Sequence, residues 1–144
     1  MNLQPYSSRV LALCEIILIG MGLYFVLLRP TLLPEDIRYI GMSLEEIRIA
    51  VPGLLIWLEK VFWVMGGYIL TSGLLTFYLA VTSFRIRAKG VSGIVALAGL
   101  ASVGWMSVVN FVIDSDFKWL LLAFAVLWGF ALVLFWFERR NTDF

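Results

Sequence analysis

Histidine is absent from this 144-residue chain and cysteine occurs once. Without histidine there is no usual haem or zinc ligand and no commonest general base, and no serine can be linked to a carboxylate in a hydrolytic triad. A single cysteine, Cys14, can neither close an internal disulfide nor carry an iron–sulfur cluster. Charge is scarce too: 11 basic and 10 acidic residues give a net charge of +1, against 62% hydrophobic residues. Soluble domains carry about a quarter of their residues as charges, so this chain lacks the polar skin that water demands. It also lacks the concentrated basic face of a nucleic-acid-binding protein. No catalytic set, metal site or cofactor site is expected.

The apolar residues fall into four stretches of membrane-spanning length, Val10–Leu28, Val61–Phe84, Val91–Ile113 and Trp119–Phe137. The expected fold is all-α: one integral membrane domain over residues 1–144, built as a four-helix bundle. The first stretch has no A-x-A exit and reads as a retained span rather than a cleaved signal. Arg9, the "FRIRAKG" turn (Arg85, Arg87, Lys89) and Arg139–Arg140 share one side. On the other side, Arg29, Arg38, Arg48, Lys60 and Lys118 are diluted by Glu35, Asp36, Glu45, Glu46, Glu59, Asp114 and Asp116. The positive-inside rule then places both termini in the cytoplasm, in a bacterial inner membrane.

The long first loop, residues 29–60, carries two helix signatures. Pro34 followed by Glu35 and Asp36 opens one, with Gly41 as its stop; Ser43 with Glu46 forms a capping box for the next, ended by Pro52 and Gly53. Two short amphipathic helices on the outer surface, or across the mouth of the bundle, are expected. Trp57, Trp63, Trp119 and Trp136 stand where interfacial anchors belong. This layout, with its glycine-rich second helix and short basic connection, resembles that of small bacterial four-helix membrane proteins such as the DoxX-like group. The resemblance is architectural and carries over no site residue.

Small residues mark where helices can approach. Gly66, Gly73 and Ala80 recur every seven residues on the second span, and Gly93, Ala96, Gly99 and Gly104 mark one side of the third. These two faces are the expected seam. The fourth span, almost free of polar atoms, is expected to face lipid or another protein.

Two polar features interrupt the apolar spans. Glu15 lies six residues beyond Arg9, about 9 Å along the helix at 1.5 Å per residue. An acid at membrane depth costs at least ~2.5 kcal/mol and is paired, protonated or near water. It either fastens the first helix to the basic loop, through Thr82, Ser83, Ser92 or the loop's cations, or binds a cation or ligand headgroup. The second feature is Ser107, Asn110 and Asp114 on the third span, which with Trp105 form a candidate ligand-binding face.

The leading expectation is a non-enzymatic accessory or stabilising subunit, with a membrane-protein partner or a second copy of itself. The alternatives are a module that binds a lipid or small apolar ligand beneath the first loop, and a proton-coupled transporter using Glu15.

Overall fold

The structure, a computed structural model, describes residues 5–140. It is all-helical over the described residues. Helix α1 runs Tyr6–Leu27, α2 Pro34–Ile40, α3 Leu44–Ala50 and α4 Leu54–Val81. The third long helix is built from α5 (Val91–Gly99), a π-helical turn (Leu100–Gly104) and α6 (Trp105–Val112); α7 spans Lys118–Arg140. The four long helices are each long and apolar enough to cross a membrane. Helix α4 starts at Leu54 rather than at Val61, because nothing after Pro52–Gly53 breaks it, so "LLIWLEK" joins the second long helix.

Local chemistry sets the loop helices. Ser43 Oγ accepts from the Glu46 amide (3.2 Å) while Glu46 Oε2 accepts from the Ser43 amide (2.7 Å), the reciprocal capping box. Gly41 ends α2 in the left-handed conformation (φ 74°), and its amide donates to the Ile37 carbonyl.

The helices form a row rather than the expected seam. Helix α4 lies mainly on α1, α1 on α7, and α7 on α5–α6, while α4 and α5 touch only slightly. The glycine face of α4 therefore meets α1 and not the third span. A Cβ on Gly66 would lie 2.9 Å from the Gly22 carbonyl oxygen, and one on Gly73 would lie 3.0 Å from the Ile19 amide nitrogen. Ala80, fully buried, continues that face. Gly93 faces open space, and a Cβ on Gly104 would touch only its own helix's Gly99 carbonyl and Leu100.

The π-helical turn explains the displaced face of the third helix. Its buried residues are Val91, Val95, Gly99, Val103 and Ser107, a step of four each time. In an unbroken α-helix each step of four overshoots a full turn by about 40°. One residue absorbed by the wider i→i+5 turn removes most of that drift between Val95 and Ser107. The buried stripe therefore stays on α7 and passes by Gly104, whereas Gly93, which precedes the turn, stands about 200° round the helix from both Val91 and Val95 and so on the far side of α5. Trp128 of α7 packs flat against Gly99, and its Nε1 donates to the Val95 carbonyl at 3.2 Å.

The fourth long helix is thus less free than its composition suggests. It buries Leu121, Phe124, Trp128, Ala131 and Phe135 against two neighbours. The core joins Phe124, Trp128, Ala131 and Phe135 to Leu11, Cys14 and Leu18 of α1, Ala80 of α4 and Phe84 just beyond it.

Candidate functional site

Three polar clusters lie at three depths. The deepest is Glu15, which is fully buried, with Leu11, Cys14, Leu18 and Gly22 completing the buried face of α1. Its carboxyl meets Thr76 of α4, with Oε2 2.7 Å from Thr76 Oγ1. Thr76 Oγ1 also bonds back to the Ser72 carbonyl one turn earlier. The partner is therefore neither a basic side chain nor Thr82, Ser83 or Ser92. Thr82 bonds back to the Tyr78 carbonyl at 2.5 Å. Glu15 Oε1 is buried with no hydrogen-bond partner.

At the basic end, Glu138 collects three segments. Ser7 donates to it from its amide (3.2 Å) and its hydroxyl (2.6 Å), and Arg87 approaches at 3.5 Å. Ser8 Oγ adds a bond to the Ala80 carbonyl (2.7 Å). The start of α1, the short basic turn and the end of α7 are tied at one carboxylate.

At the loop end, Glu35 is buried on α2 and accepts from Ser115 Oγ at 3.2 Å, in the turn before α7. Arg38 pairs with Asp116 at 2.7 Å, and Asp114 pairs with Lys118. The Asp116 side chain, by hydrogen bond and by charge, raises the Arg38 guanidinium above its ordinary range. The Lys118 ammonium, bonded to Asp114, holds that carboxyl below its usual range. Arg29 spans α1 and α2: its side chain is only 8% exposed, it pairs with Asp36 at 3.2 Å, and its guanidinium lies 3.5 Å from the Phe62 ring centroid. Ion pairing and cation–π contact together lock the loop to α1 and α4.

The five residues singled out as a ligand set do not converge. Glu15 stands on α1 toward the basic end, whereas the other four belong to α6 and the turn after it. Ser107 Oγ donates to the Leu121 carbonyl (2.9 Å) and clamps α6 to α7. Asn110 Nδ2 donates to the Met106 carbonyl of its own helix (2.9 Å). Trp105 is 66% exposed and turned away from the core. An open apolar groove of about 500 Å³ runs between α6 and α7, lined by Ser107, Val108, Phe111, Leu122 and Ala125 among others. Among the described residues no three His, Cys, Asp or Glu side chains cluster to hold a metal.

Sequence reasoning missed Thr76 as the partner of Glu15, although its place between Gly73 and Ala80 marks the same face. It also missed Glu35, Glu138 and Ser115 as fasteners. Their partners lie 80 residues or more away in the chain, or 51 for the Glu138–Arg87 pair, so no local pattern announces them. The outward side of α4 was also overlooked. Opposite its glycines stand Trp57, Val64, Tyr68, Thr71, Leu75 and Tyr78, all exposed. The hydroxyls of Tyr68, Thr71 and Tyr78 bond to none of the described residues. No family model, curated protein or solved structure matches this chain with significance, so the likeness to DoxX-like proteins stays one of layout.

Proposed function

We propose that the chain is a non-catalytic membrane protein that works as an accessory or stabilising subunit of a larger membrane assembly. In this reading all four long helices cross the bilayer of a bacterial inner membrane, and both termini are cytoplasmic. The observation that carries it is the outward face of α4. This helix leans on α1 alone for most of its length, and its opposite side presents the hydroxyls of Tyr68, Thr71 and Tyr78. Hydroxyls facing hydrocarbon are undersatisfied, and interhelical hydrogen bonds in membranes contribute about 0.6 kcal/mol each. A partner helix laid along this stripe satisfies them.

Photo-cross-linking in cells tests the proposal. A photoreactive side chain at Tyr68 is expected to capture one protein of defined mass, whereas one at Val126, exposed on α7, captures lipid. Lipid adducts alone at Tyr68 would overturn it. The α6–α7 groove favours a second reading, occupancy by a lipid acyl chain. Its walls are apolar and the hydroxyl of Ser107 is already engaged, so such a site would hold a chain without selecting a headgroup.

A further inference from the structure

We infer that Glu15 is an intramembrane proton-binding site, holding its proton as a neutral acid that donates to Thr76. The count of hydrogens at Thr76 requires it. Thr76 Oγ1 carries one proton and stands within bonding distance of two acceptors, the Ser72 carbonyl and Glu15 Oε2 at 2.7 Å. Threonine in a helix commonly directs its proton back to the carbonyl one turn earlier. The contact to Glu15 then lacks a hydrogen unless Glu15 supplies it. With the proton on Oε2, each contact has its own: Glu15 donates to Thr76, and Thr76 donates to Ser72.

The surroundings agree with that count. An ionised carboxylate offers about four lone-pair sites to donors, yet Oε1 has no partner and Oε2 has one contact. All six ion pairs among the described residues involve other carboxylates, and none involves Glu15. The core around it, with Leu11 and Leu18 on its own helix and Ala80 on α4, is apolar. Cys14 is the one other titratable side chain in that core. An unpaired charge enclosed this way is far costlier than a neutral acid with one good hydrogen bond.

Proton occupancy and closure of the α1–α4 seam are therefore one equilibrium. Glu15 has no exposed surface, and the bare backbone of Gly73 lets the helices meet at Ile19 and at the Glu15 carbonyl. The proton can exchange with water only when the seam parts, and loss of the proton leaves a carboxylate that draws water in. The site needs no partner at α4, so its failure and that of the assembly proposal are distinguishable.

Infrared difference spectroscopy of the intact chain in lipid bilayers at neutral pH reads the proton directly. Wild type minus Glu15→Gln is expected to show one protonated-carboxyl carbonyl band lost in the variant. Loss of a carboxylate stretch instead would overturn the inference. If Glu15→Gln does not fold, Thr76→Val and Thr76→Ser serve in its place. Removing the acceptor with valine is expected to shift the carboxyl carbonyl band to higher frequency, and serine is expected to leave it in place. A band that valine does not move, or no protonated-carboxyl band at all, would sink the idea.

Discussion

Replacing Gly22 by alanine puts a single methyl group where α1 and α4 touch backbone to backbone. The added Cβ would stand 2.5 Å from the Leu70 amide nitrogen, 2.7 Å from Leu70 Cα and 2.8 Å from its Cβ. Ordinary contact begins near 3.4 Å, so α1 and α4 must separate by a large fraction of an ångström. No flexible side-chain end is available to yield. Overpacking of this kind costs about 1–3 kcal/mol. Alanine also favours helix over glycine by roughly 1 kcal/mol, which would mask part of the loss. Gly93→Ala removes that ambiguity, because Gly93 is helical and a Cβ there meets nothing within 4 Å. The propensity gain is common to both variants and cancels in their difference. Gly22→Ala is therefore expected to be about 1–3 kcal/mol less stable than Gly93→Ala, by reversible unfolding in mixed micelles. Equal stabilities would refute the close α1–α4 approach, and with it the reassignment of the glycine seam.

Three other outcomes follow from the same contacts. Ser107→Ala breaks the clamp on the Leu121 carbonyl and is expected to lower stability by about 0.5–1.5 kcal/mol in the same unfolding assay, while Asn110→Ala, which loses only a bond within its own helix, changes it less. Trp128→Ala is expected to cost about 3–5 kcal/mol, and it should reverse the effect of Gly99→Ala, which is destabilising beside the indole but tolerated once the indole is gone; additive effects in that double-mutant cycle would contradict the packing described. At the loop end, Asp114 is held below its ordinary 3.8 by Lys118, and Glu46 below 4.5 by Ser43. Groups whose folded values are depressed stabilise the fold above the ordinary range and lose that contribution as pH falls through the lowered values. Hydrogen-exchange protection at the start of α3 and in the turn from Asp114 to Lys118 is accordingly expected to hold at neutral pH and to fall below about pH 4; unchanged protection there would contradict it.

What could be read from the chain was what is local. The capping box of Ser43 and Glu46 lies within four residues, Gly41 stops the helix before it and Pro52 and Gly53 stop the helix it opens, so both loop helices were legible. The apolar lengths of the four long helices were legible for the same reason. The rotation of the third helix was not, because a π-helical turn at Leu100–Gly104 shifts every later residue by one position around the axis. Glu15 announced itself as an acid in an apolar run. Its partner did not, since the choice between Thr76 and the basic turn depends on which helix lies beside α1. The links of Glu35 to Ser115 and of Ser7 to Glu138 are tertiary and have no signature in spacing.

The proposed assembly joins this chain to its partner at the outward face of α4. Native mass spectrometry of the protein, extracted gently from its own membrane, tests it most directly. The predicted spectrum shows a stoichiometric complex with a membrane protein or a second copy, and Tyr68→Phe combined with Thr71→Val weakens that complex without unfolding the chain. A chain that flies alone, or with lipid mass only, at native abundance would contradict it.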